Sequence, residues 1–556
     1  MERVAQRARP GWRAVSAWLA AYTLLSLLFS APFVRPTTLD LTPDWGDARL
    51  ITWTLAWHAH WPLTGEWPLD APMFAPEPRG LANSEPMIAL GLGAAPLTAL
   101  AGPVATYHLL RMLLPVLNAL AMALLAWHYL RSGWAAWTAG LVLGFSYSQV
   151  ATVYLGLLHL GVLGGFVLTP LWLDRFWHDG DRRDLARAVG IALVQALVSW
   201  YAAVLVVLVV LVQLGWLAVT APGSASRMRQ RAASLAVAGL VAGALLWPLA
   251  RPFLGLPKPP REELRTYAVQ PHFYVTPPHD TLAGNAMHGG AKIAVPWDWR
   301  SYFLGVVTGA AAVAGVVVCL VVPELRRLLW ALVLGGVAFA LSLGPSEAGA
   351  GWRPFDFVSA LPGIGSFRAP SRMAVLVTVA LALFVGVAVA ALPRRWRGLT
   401  VVALLPVFLA ENLMTSLNYT PAAPLRVSPL FARLAEEART AALVVPMFGN
   451  APAWPTEADY LLFASRAWTP LVNGYGRRTT AIYQAIFDTV ERAPQAPLGD
   501  VLRFYGVSHI VVLPRYEPAR AAAFIAAAAA SPDLERVAES DGDVLYRVRA
   551  AVPPAR

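Results

Sequence analysis

Residues 202–221 read AAVLVVLVVLVQLGWLAVTA, twenty residues without a charge. At 1.5 Å of helix rise per residue, that length matches the roughly 30 Å hydrocarbon core of a bilayer. Neighbouring runs repeat the pattern. Candidate membrane helices fall at 14–34, 105–130, 134–152, 156–174, 185–200, 202–221, 233–251, 301–322, 328–344, 373–392 and 398–418. Composition agrees, since 57% of the 556 residues are hydrophobic and 14% charged, where soluble domains carry about a quarter charged. The expected fold class is a polytopic α-helical membrane protein of about 11 transmembrane helices. A large first exterior loop and a small C-terminal α/β exterior domain complete it.

The net charge of +11 does not point to nucleic acid, because the basic residues lie in short segments between apolar runs. They sit in the N-terminus, at Arg131, and in 174–187, 224–231, 324–327 and 394–397, the positive-inside pattern of membrane topology. The apolar stretch 84–102 tests that pattern. As a full span it would carry 174–187 outside; as an interfacial or re-entrant helix it leaves every basic loop cytoplasmic. We adopt the second reading, with a cytoplasmic N-terminus and a C-terminal domain on the periplasmic side of the inner (plasma) membrane. The N-terminal apolar run is too long for a signal peptide and no small-residue cleavage site follows it. The single Cys319 excludes a disulfide framework. The domains expected are 1–419, transmembrane with exterior loops at about 35–104, 252–300 and 345–371, and 420–556, a soluble exterior domain. In that tail, apolar strands AALVVP, HIVVLP and VLYRVR alternate with helical stretches such as PARAAAFIAAAA.

The first exterior loop opens with PDWGDARLITWTLAWHAHWPL (43–63), a turn followed by a helix from about Asp47 to Trp61. Leu50, Trp53, Trp57 and Trp61 form one stripe at helical spacing, which suits a membrane headgroup region. Asp47 falls in the cap or first turn, where unpaired amides and the helix dipole favour a carboxylate. Asp44 closes the preceding turn. On local grounds both are structural aspartates. Glu77, Arg79 and Glu85 follow in the proline-rich passage 70–87. The second loop holds His272, His279, Asp280 and His288 at spacings that match no standard metal motif, and reads as a lid over substrate. The aromatic, basic run RAWTPLVNGYGRR (466–478) suits either carbohydrate contact or packing of the tail onto the membrane domain.

The order of these segments resembles the GT-C glycosyltransferases of bacterial membranes. The resemblance rests on GDARLITWTLAWHAH, MFAPEPRGLANSEPM, the Tyr-containing helix SWYAAVLVVLV, the Arg-x-Pro-x-Arg lead-in LPGIGSFRAPSRM, and LVVPMF, YGVSHIVV and VLYRV in the tail. In architecture the chain is similar to protein O-mannosyltransferases, oligosaccharyltransferase catalytic subunits and lipid A aminoarabinose transferases. The resemblance implies a GT-C-like transmembrane domain and an enzyme that takes sugar from a polyprenyl-phosphate carrier, transferring it to an exterior lipid, glycan or protein acceptor. It places the catalytic base on Asp47, with Asp44 as the fallback. Membrane lipids, a lipid-linked sugar donor and its acceptor are the implied partners, and nucleic acid is not. The loop has neither an adjacent acidic pair nor an Asp-x-Asp, so a divalent metal has no ligand motif.

Such a reaction also needs cations at the departing phosphate. Arg79, Glu85, Arg251, Lys292, Arg300, Arg368 and Arg372 are the substrate-binding candidates. Arg368 and Arg372 stand where a loop meets a membrane helix, a position equally suited to ordinary phospholipid headgroups. Two other readings are a transporter or flippase of lipid-linked substrate and a non-catalytic assembly protein of the same fold. A transporter predicts ionisable residues within the spans, where only His159, Gln195 and Gln213 stand out.

Overall fold

In the computed structural model the chain divides into two compact units, Met1–Thr38 with His108–Asn418, and Leu39–Tyr107 with Tyr419–Arg556. The structure describes residues 10–31, 46–154, 156–220, 224–254, 258–288, 301–347, 353–361, 367–414, 426–438, 440–493 and 496–550.

The first unit is helical. Each of the eleven expected segments overlaps a helix. Among the described residues, six helices are long and apolar enough to cross a membrane: Trp12–Ser30, Pro103–Leu130, Trp200–Thr220, Ala225–Leu254, Pro323–Ser342 and Pro370–Ala391. The Val375–Ala391 helix is buried along most of its length and packs on Val306–Val321, Gly133–Phe145 and Trp330–Ser342. Small residues permit that approach: a Cβ at Gly315 would stand 1.9 Å from the Phe384 carbonyl oxygen. The expected span 134–152 is broken, because Ser146 is extended (φ −62°, ψ 147°) between helices Gly133–Phe145 and Tyr147–Tyr154. A short 3₁₀ helix, Leu158–Gly161, precedes the Gly164–Asp179 helix. Side chains satisfy the freed backbone there, as low-dielectric surroundings demand. Asn118 Nδ2 and Gln149 Nε2 both donate to the Gly161 carbonyl, at 2.7 and 2.9 Å.

The second unit is built on a four-stranded sheet, with β1 (Ala441–Val445), β2 (Val507–Val512), β3 (Leu534–Ser540) and β4 (Asp543–Val548) in the order β1-β2-β4-β3. β1 and β2 are parallel, and β4 runs antiparallel to both β2 and β3. β1, β2 and β4 are the apolar strands expected in the tail. β3, largely exposed and lacking an apolar run, was not expected.

Segment 39–107, expected within the transmembrane domain, belongs instead to the sheet-bearing unit. The tryptophan stripe explains why. Trp53 and Trp57 are each 1% exposed and share one core with Leu443, Val444 and Ile510 of the sheet. Both face Trp468, with ring centroids 6.3 and 5.3 Å away, and Trp57 Nε1 donates to Pro68 O at 2.9 Å. These are core residues, not headgroup anchors. The run 466–478 completes the joint, since Leu471 and Asn473 accept backbone bonds from Ala75 and Phe74, and Arg477 N donates to Asn83 O. The 84–102 stretch contains a 14-residue helix, Ile88–Ala101. At about 21 Å it falls short of the hydrocarbon core.

Candidate active site

The Gly46–His60 helix carries Asp47 in its first turn. Close contacts along the helix fix where that turn lies. Gly46 has no room for a side chain, because a Cβ would meet Pro455 at 2.4 Å. Arg49, one turn inward, pairs with Asp459 at 2.6 Å with both side chains under 10% exposed, and Tyr516 donates to the other Asp459 oxygen at 2.9 Å. At the far end His58 is fully buried. Its Nδ1 accepts from Trp61 Nε1 at 2.8 Å, and its Nε2 donates to Pro86 O at 2.5 Å. Burial lowers this imidazole to about pKa 4, so it is a neutral spacer. His60 stacks on Trp468 at 4.6 Å. Asp47 is therefore a half-buried carboxylate on a helix head anchored on several sides, with the amide dipoles of that turn directed at it.

The remaining first-loop candidates divide. Arg79 is exposed in a left-handed conformation (φ 60°), with its backbone N–H donating to Asp70 Oδ1 at 2.9 Å. Glu85 is half-buried in the same unit, before the Ile88–Ala101 helix. Glu77, which was not singled out, accepts from Ile482 N at 3.1 Å and ties the loop to the tail. Asp44 lies outside the described residues, as do Lys292 and Arg300 of the second loop. Among the described residues, no three His, Cys, Asp or Glu side chains group as a metal site.

In the first unit, two segments far apart in sequence come together. Ser199–Tyr201 begin one apolar helix and Phe367–Arg372 lead into another. The Tyr201 ring stacks on Phe367 at 4.2 Å, and its hydroxyl accepts the backbone N–H groups of Arg368 and Ala369 at 3.0 and 3.3 Å. The Arg372 guanidinium lies 4.0 Å over the same ring. Tyr302 donates to Ser371 O at 2.7 Å, closing the turn from the other side. Arg368 points away from Tyr201 toward Glu263 (3.8 Å) and the Tyr267 ring (5.2 Å). Only Arg372 lines the cavity of about 40 Å³ beside these residues, together with His159, Ser148 and Ser199. Arg251 is exposed in the last turn of the Ala225–Leu254 helix, outside this cluster.

The second loop is stapled to the third. Arg261 donates to Ser346 and to Asp356, and Arg265 pairs with Glu347. It is also tied to the helical core, where the Tyr147 hydroxyl donates to Asp280 Oδ2 at 3.2 Å. Burial raises the Asp280 carboxyl to about pKa 6, with that hydrogen bond opposing the shift.

Sequence reasoning missed two buried polar groups. His159 was noted only as an ionisable residue within an apolar region. Glu457, which no motif marks, is fully buried in the second unit. It accepts from Phe448 N at 2.8 Å, Asn473 Nδ2 at 3.1 Å, Gly474 N at 3.3 Å and the Tyr483 hydroxyl.

No family model and no curated protein matches the chain. Solved structures do. Arabinofuranosyltransferase AftD from Mycobacteria matches with a TM-score of 0.62 at 16% identity, over 98% of this chain and 40% of that one. The oligosaccharyltransferase of Archaeoglobus fulgidus matches with a TM-score of 0.51 at 12% identity, over 89% of this chain and 69% of that one. The chain thus spans about two-fifths of the arabinofuranosyltransferase's length. What these likenesses establish is architecture: the protein has the fold of the GT-C glycosyltransferases.

Proposed function

We propose that the protein is a membrane glycosyltransferase that takes a sugar from a polyprenyl-phosphate carrier and passes it to a lipid, glycan or protein acceptor on the exterior face. The observation that carries this reading is the placement of Asp47, in a protein of this fold, on a helix head pinned by Gly46 against Pro455 and by Arg49 on Asp459. A general base must be held in position more than it must be strong. In the reaction the Asp47 carboxylate takes the acceptor O–H proton as the acceptor oxygen bonds to the anomeric carbon. The anomeric C–O bond to phosphate breaks, and the phosphate leaves with the electron pair. Within the helical unit, Arg372 over Tyr201 and Arg368 beside Glu263 are cations of the kind a departing phosphate requires. The distribution of basic loops supports an exterior site in the inner membrane, with the N-terminus cytoplasmic.

Asp47→Asn keeps shape and removes the base. In a deletion strain complemented with the variant, the glycolipid or surface-glycan product should fall by about 10²–10⁴-fold at unchanged membrane abundance, the range general-base removal produces. Asp44→Asn should leave most of it. Product at wild-type level from Asp47→Asn overturns the assignment and favours a non-catalytic role.

A further inference from the structure

The imidazole of His159 has no part in the reaction just described, yet its surroundings are unusual. The residue is 5% exposed, and neither ring nitrogen has a hydrogen-bond partner in the protein. It sits in the short 3₁₀ helix Leu158–Gly161, between the Tyr147–Tyr154 and Gly164–Asp179 α-helices. The nearby amides are committed elsewhere: Asn118 Nδ2 and Gln149 Nε2 bond the Gly161 carbonyl. A buried imidazole with two unmet polar atoms is costly to keep, unless something else meets them. It lines the same cavity as Arg372. The titratable groups around that cavity are His159, Arg372, Tyr201 and Tyr302, and Ser148, Gln149, Thr152, Ser199 and Thr378 add uncharged polar side chains to its wall. No carboxylate lines it among the described residues.

We infer that His159 and Arg372 form a binding site for a terminal phosphoryl group, and that its occupancy depends on a proton on His159. The cavity, at about 40 Å³, admits about three water-sized groups. That suits phosphate oxygens. The inference rests on the glycosyl-transfer reading and deepens it: the site takes the carrier's phosphate monoester, the form left once the sugar has gone. Arg372 supplies a permanent charge and a forked donor. Protonated His159 supplies an N–H where the neutral ring would bring an acceptor lone pair toward an anion. The sign follows: bound phosphate favours imidazolium, so the His159 contribution is full at low pH and is lost as pH rises through the ring's bound-state pKa.

The test uses the full-length protein in nanodiscs and a polyprenyl phosphate as probe. Affinity is measured between pH 5.5 and 8.5 for wild type, His159→Gln and Arg372→Lys. Because the phosphate itself titrates in this range, the quantity read is the ratio of wild-type to variant affinity. That ratio for His159→Gln should be about tenfold at pH 5.5 and close to one at pH 8.5. Arg372→Lys should weaken binding while keeping the pH profile of wild type. A ratio for His159→Gln that stays constant across pH marks His159 as structural and overturns the inference. So does a polyprenol that binds as tightly as its phosphate. Inorganic phosphate should compete with the same dependence on His159. Affinity far below that of the lipid assigns the site to a lipid headgroup, and equal affinity assigns it to the free anion. The Asp47→Asn protein should bind with the wild-type profile, so loss of this site and loss of the transfer reading give separate results.

Discussion

Glu457 shows what a single buried carboxyl does to the second unit. Burial raises it to about pKa 7, although four donors converge on it and favour the ionised form. The unfolded chain ionises near the ordinary glutamate value, so the folded unit loses stability as pH climbs from about 4.5 to about 7, and the loss is then complete. A shift of that size corresponds to about 3 kcal/mol. Thermal unfolding of the full-length protein should therefore show a lower midpoint at pH 8 than at pH 5. Glu457→Gln should flatten that slope while lowering the midpoint at pH 5, because its NH₂ would face the donors of Asn473 or Gly474. Trp57→Ala is a simpler loss of packing against Trp468 and should cost about 3–5 kcal/mol. Residues of this kind divide by legibility. Asp47 stood out because a helix start has a sequence signature and because the Gly-Asp pair resembles a known family. His159 and Glu457 acquire meaning only from neighbours distant in sequence, and no local pattern encodes those.

At the scale of elements, the Gly46–His60 helix and the Glu457–Ala464 helix are joined through Arg49 and Asp459. Both partners are nearly buried, so Arg49→Ala removes the counter-charge of a buried carboxylate and should destabilise the second unit by about 3–5 kcal/mol. Replacing both residues with apolar side chains of similar volume should recover most of that, as measured by protease resistance of the full chain. The Arg261–Asp356 pair between the exterior loops is a useful contrast. Arg261 is 57% exposed, and Arg261→Ala should change stability by less than about 1 kcal/mol. The helices and three of the four strands were legible, because apolar runs of helical length and short β-branched strands are local signals. The break at Ser146 was not, since the bond from Asn412 that caps Tyr147 N arrives from 265 residues away. Nor was β3, an edge strand held by its pairing with β4 and lacking apolar content of its own.

For the whole molecule, the joint between segment 39–107 and the tail constrains topology directly. Both segments fold into one unit, so they must lie on the same side of the membrane. The helices of the intervening segment 108–418 must therefore cross it an even number of times. A full span at 84–102 would have divided that unit, and its short helix removes the conflict. The same discontinuity has a temporal side. Trp53 and Trp57 leave the ribosome about 400 residues before the strands that cover them. At roughly 5–20 residues per second, that is about 20–80 s during which two indoles wait uncovered. The nascent chain thus passes through an interval in which its exposed surface invites a chaperone or a protease. Any premature stop that removes the tail makes that interval permanent.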